Sequence, residues 1–241
     1  MLYNRDMDIL FVRQGEYRKG DAAFPLIADA VRVFSVLNDD NKLSGQSDKD
    51  TSGDKHTLNA EGITEDAIRR TAEKRPYCSI PGAPDISVTH SGDIWMCLVS
   101  AERCGLDFQY LKDRDIIRIV NRYFTEGERE YIDDHGKDKV GRQSSAGRKG
   151  RTGRFFDIWV RREALGKYEG HGLFGNYPDS APGGRLAGEV YFITGNTEES
   201  RRLYVHEITA SMLASVGIKP EADFRSVAVT RSENAPVIRL I

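Results

Sequence analysis

The sequence has few cysteines, no long apolar run and no apolar start. Its three cysteines, Cys78, Cys97 and Cys104, are an odd number and match no metal-binding spacing, so we expect reduced and largely buried thiols. No apolar run approaches the roughly 20 residues that a membrane-spanning helix needs, and the first dozen residues carry scattered charges in place of a signal-peptide core. We therefore expect a cytoplasmic protein with no membrane partner.

The sequence also lacks an excess of either charge. It has 35 Lys and Arg against 37 Asp and Glu, a formal net charge of -2. A dedicated nucleic-acid-binding protein usually carries a large basic excess, so we expect no nucleic-acid partner. The 241 residues, 39% hydrophobic and 30% charged, suffice for one large or two small globular domains with a real core.

Short apolar segments suited to strands occur among segments with helical spacing. Strands are predicted at residues 8–12, 86–89, 94–100, 105–110, 189–193, 203–208 and 226–230, and helices at 24–37, 64–73, 115–124, 125–133 and 155–168. Within the strand at 105–110, Leu106 and Phe108 are predicted to face one side and Asp107 and Gln109 the other. This mixture indicates an α+β or α/β protein.

Residues 136–153 have a distinct composition. Their basic residues are opposed by Asp138 alone, and apolar residues are almost absent. Such a segment cannot pack onto a core, so we predict a mobile basic insertion. A nucleic-acid contact by this segment is an alternative, but the near-neutral net charge speaks against it.

A polar turn, Thr89-His90-Ser91-Gly92, joins two predicted strands. A histidine at a strand end can donate to a phosphate, and the flanking hydroxyls and turn amides add further donors. Taken alone, the pattern favours an ordinary turn with a solvated histidine.

Asp107 and Gln109 share one face of a predicted strand, about 6–7 Å apart along the chain. Their oxygen atoms suit a hard cation such as Mg²⁺, which takes few protein ligands and keeps waters. Taken alone, the pair favours the polar side of a half-buried strand.

Trp159, Glu163 and Lys167 recur at a spacing of four, which places them on one face of a helix. Glu163 is a candidate metal ligand and Lys167 a candidate phosphate contact. Taken alone, the spacing favours an exposed Glu–Lys ion pair. Gly170 follows as a natural C-terminal cap.

The order and spacing of these segments together resemble the Sfp-type 4'-phosphopantetheinyl transferase family. That family has a basic residue before proline, an S-H-S-G turn, a G-x-D-x-E strand, an F-F-S-x-x-E segment and a W-x-x-K-E-x-x-x-K-x-x-G-x-G-L helix. The corresponding segments here, between Arg75 and Leu173, are RP, THSGD, GLDFQ, RYFTEGE and FFDIWVRREALGKYEGHGL.

The resemblance implies an α+β fold of two similar α/β halves related by a pseudo-two-fold axis. The halves would be residues 1–102 and 103–241, the second carrying the metal site and the basic insertion at 136–153. The active site would lie in the cleft between them, and the pseudo-dimeric fold makes a monomer the expected state.

The resemblance also implies an activity. A transferase of this family moves the 4'-phosphopantetheine arm of coenzyme A to a serine of an apo acyl or peptidyl carrier protein and releases 3',5'-ADP, with Mg²⁺ or Mn²⁺ as cofactor. Such carriers serve fatty-acid, polyketide and nonribosomal peptide biosynthesis. The alternative is a non-catalytic coenzyme A or nucleotide-binding protein derived from the family.

The resemblance assigns roles to individual residues. The predicted catalytic residues are Glu163, Asp107 and Lys167, with Glu163 taking the serine proton. The predicted metal ligands are Asp107, Glu163 and Gln109. Coenzyme A binding falls to Arg75, Thr89, His90, Arg162 and Lys167, and a structural role to Phe124 and Glu128. Gln109 and Arg162 depart from the family pattern, where an acidic residue and a lysine occur. The family's N-terminal basic residues show no readable motif, and the candidates Arg13, Arg18, Lys19 and Arg32 stay unassigned.

Overall fold

The structure is a computed structural model that describes residues 7–43, 60–112, 116–133, 145–171, 189–193 and 201–241. The first part of the chain contains β1 (Ile9–Gln14), α1 (Phe24–Leu43), β2 (Ile68–Arg70), β3 (Pro76–Cys78), β4 (Asp85–Ser91) and β5 (Ile94–Ser100). The second contains β6 (Gly105–Tyr110), α2 (Ile117–Tyr123), α3 (Glu126–Asp133), α4 (Ser145–Glu169), β7 (Glu189–Ile193), β8 (Arg201–Glu207), α5 (Ala210–Ser215), β9 (Phe224–Thr230) and β10 (Val237–Leu240). This content confirms the α+β class.

Two four-stranded sheets organise the described residues. The first has the order β10-β1-β5-β4 and the second β6-β9-β8-β7, while β2 and β3 form a separate hairpin. All pairings are antiparallel except that of β10, which runs parallel to β1. A division at residues 102 and 103 therefore separates the two sheets apart from β10, which returns from the end of the chain to the first sheet.

The two sheets pack face to face between two helices. Leu10 of β1 and Leu98 of β5 lie in one apolar cluster with Leu106 and Phe108 of β6, which forms the interface between the sheets. The alternate residues of β1 and β5 instead pack with α1. Val160 and other apolar residues of α4 pack with β8 and β9 on the outer face of the second sheet. Both central strands of the first sheet are thus buried on two faces.

A row of hydroxyl groups joins the sheets along their edges. Ser87, Thr89 and Ser91 occupy alternate positions of β4, and each side-chain oxygen accepts a hydrogen bond from an amide of β6. The donors are the backbone N–H groups of Leu106 at 2.9 Å, Phe108 at 3.2 Å and Tyr110 at 3.1 Å. We call this row the hydroxyl seam. All three hydroxyl residues are buried, so the seam satisfies amides that β6 would otherwise leave without a strand partner.

The predicted helix at residues 64–73 is wrong. Thr64 makes no side-chain cap, and the segment instead contains a short 3-10 helix, Glu65–Ala67, followed by strand β2. Ile68 is buried and pairs with Cys78, so burial of Ile68 against the core and pairing with β3 override the helical spacing.

Of the segment 136–153, predicted as a mobile insertion, residues 145–153 form the first turns of α4, and residues 136–144 lie outside the described residues. Two basic side chains near the start of α4 contact the end of α3. Arg151 forms an ion pair with Asp133 at 3.0 Å, and the next basic residue, Arg154, donates to the Ile132 carbonyl oxygen at 2.9 Å. A helix C-terminus favours such cations.

The three cysteines are free and buried, as predicted. No helix in the described ranges is both long and apolar enough to cross a membrane.

Gly105, at the start of β6, lies in close contact with the backbone of α4. A Cβ atom at this position would lie 2.0 Å from the Ala164 carbonyl oxygen and 3.0 Å from the Tyr168 amide nitrogen. Because both neighbours are backbone atoms of a helix, neither can move aside without separating α4 from the sheet. The glycine therefore sets the distance between β6 and α4.

We predict that Gly105→Ala destabilises the protein by about 3 kcal/mol, the upper part of the usual range for overpacking. Urea unfolding measures this change. The matched control is Gly62→Ala, because a Cβ atom there meets nothing within 4 Å, and its effect should stay within about 0.5 kcal/mol. Equal stability of the two variants would contradict a close backbone contact at Gly105.

Candidate active site

Asp107 lies buried on β6, on the face of the strand opposite to Leu106 and Phe108, as the alternation predicts. Its Oδ1 accepts hydrogen bonds from the Thr89 hydroxyl and the Lys167 ammonium, each at 2.9 Å. The Gln109 amide donates to Oδ2 at 3.3 Å. A buried carboxylate needs such partners, and here they come from β4, α4 and β6.

Glu163 and Lys167 lie one turn apart on α4, above Asp107. The Lys167 ammonium binds Asp107 and the Leu106 carbonyl oxygen, the latter at 2.8 Å, so it does not form the exposed pair with Glu163 that the spacing alone favours. Burial raises the pKa of Glu163, the negative charge of Asp107 raises it further, and Lys167 opposes both effects. Two carboxylates and one ammonium therefore share a small, partly buried site.

The donor set of this site fits a hard divalent cation. Asp107 and Glu163 are close enough to repel each other, and the Gln109 side chain is adjacent. No group of three or more His, Cys, Asp and Glu side chains suited to a metal occurs in the described part of the chain. Mg²⁺ is content with one or two carboxylates when phosphates and waters supply its other ligands.

A cavity of about 540 Å³ lies beside Lys167. Both parts of the chain line it, the first through α1, the β2–β3 hairpin and β4, the second through the end of α4. Its basic lining residues outnumber its one acidic residue, Glu73: they are Arg18, Lys19, Arg70, Lys74, Arg75 and Lys167. Ile27 and Trp95 add apolar surface. The cavity is therefore suited to a polyanion that also carries an apolar or aromatic group.

His90 projects into this cavity from β4. Its pKa is lowered, first by its partial loss of contact with water and then by the positive charges of Lys19 and Lys167. Tyr17 lies against it, with ring centroids 5.7 Å apart, and donates from its hydroxyl to the Gly92 carbonyl oxygen at 2.8 Å. A neutral imidazole in a basic cavity gains a proton readily when an anion binds, because the anion stabilises the imidazolium.

Arg162, predicted to bind coenzyme A, is not among the residues that line the cavity. Arg162 is buried on another face of α4 and donates to both carboxylate oxygens of Glu128, at 2.9 and 2.7 Å. Its guanidinium also lies over the Phe124 ring. The buried pair needs the planar fork of an arginine, so Arg162, Glu128 and Phe124 form a structural group that joins α4 to the α2–α3 pair.

Two other predicted ligands have their donors engaged. The Thr89 hydroxyl accepts from the Phe108 amide and donates to Asp107, so it has no hydrogen left for a phosphate. The Arg75 guanidinium lines the cavity but binds Asp85 and several backbone carbonyls. Gly170 has the positive φ of 85° that suits a C-terminal cap; Gly172 and Leu173 lie outside the described residues.

The structure adds basic residues that no sequence motif identified. Arg18 and Lys19 reach the cavity from the loop after β1. Arg13 donates to the Glu16 backbone carbonyl oxygen, and Arg32 pairs with Asp29; neither lines the cavity. Lys74, beside Arg75 at the tip of the β2–β3 hairpin, also lines the cavity. Its proximity to the Arg-Pro motif is the one sequence signal that was available.

These features describe an α+β protein with a carboxylate pair beside a basic, nucleotide-sized cavity. Residues 103–216 match the family model described as 4'-phosphopantetheinyl transferase superfamily. The matched residues, just under half of the chain, contain Asp107, Glu163 and Lys167, and the match bears out the resemblance at the level of the superfamily. The chain matches no curated protein. The match supports a transferase.

We predict that Glu163→Gln is more stable than the wild-type protein at about pH 7, because it removes a charge that burial and Asp107 disfavour. The folded-state pKa lies above the ordinary 4.5, so the folded protein binds this proton more tightly, and wild-type stability falls as the pH rises through the folded-state value. The gain should disappear below pH 4.5. Denaturant unfolding at both pH values measures it.

The control for this prediction is Glu130→Gln, which removes the same charge from an exposed position on α3. It should change stability by less than about 0.5 kcal/mol at either pH. A loss of stability in Glu163→Gln at about pH 7 would show that the carboxylate makes favourable contacts in the folded protein, contrary to this prediction.

We predict that Gln109→Glu binds Mn²⁺ several-fold more tightly, because it adds a third carboxylate beside Asp107 and Glu163. The same like charges should lower the stability of the metal-free protein. Electron paramagnetic resonance of free Mn²⁺ gives the affinity, and thermal unfolding gives the stability. Gln109→Ala should keep most of the affinity, because a water can replace the amide. Abolished Mn²⁺ binding in Gln109→Ala would contradict this view of the site.

Proposed function

We propose that this chain is an Sfp-type 4'-phosphopantetheinyl transferase. It moves the phosphopantetheine arm of coenzyme A to a serine of an apo acyl or peptidyl carrier protein and releases 3',5'-ADP. The observation that carries the proposal is the meeting of Asp107, Glu163 and Lys167 at the edge of a basic cavity lined by both parts of the chain. The superfamily match over residues 103–216 covers the three residues.

The proposal extends to the architecture. Residues 1–102 and 103–241 are two similar halves about a pseudo-two-fold axis, with β10 exchanged onto the first sheet. In support, the first part supplies three strands of a four-stranded sheet that β10 completes, and the second part supplies a four-stranded sheet of its own. One long helix packs against the outer face of each sheet, α1 in the first and α4 in the second. The cavity between them is the substrate site, and the protein acts as a cytoplasmic monomer.

Coenzyme A carries a 3'-phosphate, a pyrophosphate and an adenine ring. The exposed cations Arg18, Lys19 and Lys74 would neutralise the phosphates, and His90 would donate to them once protonated. Trp95 and Ile27 offer the apolar surface for the base. The cavity volume of about 540 Å³ falls within the usual range for sites of this ligand class.

Chemistry would take place where the cavity meets the carboxylate pair. A divalent cation held by Asp107 and Glu163 would neutralise charge on the pyrophosphate. Lys167 would bind the same phosphates, and Glu163, with its raised pKa, would accept the proton of the carrier serine. The serine oxygen forms a bond to the β-phosphorus of coenzyme A, the bond from that phosphorus to the bridging oxygen breaks, and 3',5'-ADP leaves. The protein contributes mainly position and charge.

We predict that the purified protein adds the mass of one phosphopantetheine arm to an apo carrier protein in the presence of coenzyme A and Mg²⁺. Mass spectrometry of a panel of fatty-acid, polyketide and peptide-synthetase carriers reads the product and identifies the carrier class. Asp107→Asn should lower the rate by about 10³-fold or more, because charge stabilisation at such sites contributes on that scale. Asp66→Asn, an exposed isosteric control far along the chain, should leave the rate unchanged.

Two results would count against the proposal. If wild-type protein binds coenzyme A but modifies no carrier at any divalent-cation concentration, the non-catalytic binding protein becomes the better description. If it neither binds coenzyme A nor modifies a carrier, the cavity serves another ligand.

A further inference from the structure

Arg75 lies in the first part of the chain, just before β3, and its side chain is 13% exposed. A guanidinium has five N–H donors. In Arg75 each of the three nitrogens is engaged: Nη2 binds the Asp85 carboxylate and the Cys104 carbonyl oxygen at 2.8 Å, and Nε binds the Ile86 carbonyl oxygen at 3.3 Å. Nη1 binds the carbonyl oxygens of Lys167 at 2.7 Å and Tyr168 at 3.4 Å.

These partners belong to three separate parts of the fold. Asp85 begins β4, Cys104 immediately precedes β6, and Lys167 lies in the last turn of α4. The Asp85 carboxylate also accepts a hydrogen bond from the Cys104 amide at 2.8 Å, so the Arg75–Asp85 pair binds both backbone groups of the residue that connects the two sheets. The pair therefore fixes the end of α4 relative to the connection and to β4.

We propose that Arg75 is a positioning residue that holds the last turn of α4, and with it Lys167 and Glu163, against the first part of the chain, and that it is not a ligand of substrate phosphates. The proposal rests on the proposed function only in naming phosphates as the substrate groups that other residues, and not Arg75, bind.

Two physical arguments support this role over phosphate binding. The last carbonyl oxygens of a helix have no partner within the helix and carry negative partial charge, so a cation at this place stabilises the helix end. A phosphate that captured Arg75 would remove the charged partner of Asp85 and leave several carbonyl oxygens without this donor, which is costly in a partly buried site. The exposed Arg18, Lys19 and Lys74 bind a phosphate without this loss.

Lys167 makes the link to the active site. Arg75 binds the backbone carbonyl oxygen of Lys167, while the Lys167 ammonium binds Asp107 at 2.9 Å. When the carbonyl is released, the last turn can open, and the ammonium and the Glu163 carboxylate one turn earlier lose their fixed distance to Asp107. Arg75 would thus act on the carboxylate pair through the helix backbone.

The test uses two conservative variants of the full chain, Arg75→Lys and Asp85→Asn. Amide hydrogen exchange of the segment 163–169 should become about tenfold faster in both, because each variant removes charge-assisted hydrogen bonds from the helix end or weakens them. Mn²⁺ affinity should fall several-fold in both. Binding of 3',5'-ADP, measured by calorimetry, should change by less than about threefold in Arg75→Lys, since no phosphate contact is lost.

The two possible roles of Arg75 predict opposite changes in 3',5'-ADP affinity for Asp85→Asn. If Arg75 were a phosphate ligand restrained by Asp85, removing the carboxylate would free the guanidinium and tighten 3',5'-ADP binding. If Arg75 positions α4, binding stays the same or weakens while exchange accelerates. Faster exchange in both variants without tighter binding supports the proposal. Unchanged exchange in Asp85→Asn, or tighter 3',5'-ADP binding by it, overturns the proposal. Should Arg75→Lys fail to fold, Asp85→Asn alone decides by the same two readouts.

Two controls match these variants. Arg103→Lys alters an arginine whose side chain donates to the same helix end, at the Glu169 carbonyl oxygen, and not to Asp85 or the Cys104 carbonyl. Its exchange effect should be clearly smaller, and an equal effect would overturn a special role for Arg75. Lys74→Gln removes an exposed cavity cation and should weaken 3',5'-ADP binding without changing exchange. If the wild-type protein does not bind 3',5'-ADP, the proposed function fails, and the exchange and Mn²⁺ measurements still decide the role of Arg75.

Discussion

The hydroxyl seam between β4 and β6 is the interaction on which the rest of the structure depends. Two sheets that pack face to face leave edge strands with amides that need acceptors, and here the side chains of Ser87, Thr89 and Ser91 supply them. The seam brings β6 against β4, and the apolar faces of β5 and β6 then close over one shared core. Without the hydroxyls, the β6 amides would be buried without acceptors, at a cost comparable to lost hydrogen bonds.

The seam also connects the scaffold to the candidate chemistry. Thr89 accepts from the Phe108 amide, so the hydrogen of its hydroxyl is directed to Asp107. Gly105 lets α4 approach the same strand, and this places the Lys167 ammonium against Asp107 from the other side. The position of one carboxylate is therefore set by a sheet edge and a helix together. Arg75 completes the arrangement by fixing where that helix ends.

The alternation of apolar and polar residues predicted those parts of the fold that are set by which face of a strand is buried. The alternation of Leu106 and Asp107 on β6 is confirmed because one face packs on the core and the other faces α4. Pattern failed where long-range contacts override it: residues 68–70, inside the predicted helix at 64–73, pair as strand β2. Residues 145–153, which composition predicted to be mobile, form the first turns of α4. The position of Arg162 could not be predicted, because sequence spacing cannot tell which face of a helix meets the cavity and which meets Glu128.

The seam has a further consequence for how the chain finds its register. Ser87, Thr89 and Ser91 can accept from the β6 amides only when their side chains point toward β6, which leaves Val88 and His90 on the opposite face of β4. A slip by one residue would bury the imidazole and the valine against amides they cannot satisfy, so the pairing rejects it. The repeat of three small polar side chains thereby fixes the register of β4, and with it the side of the strand from which the His90 imidazole projects, before any ligand is present.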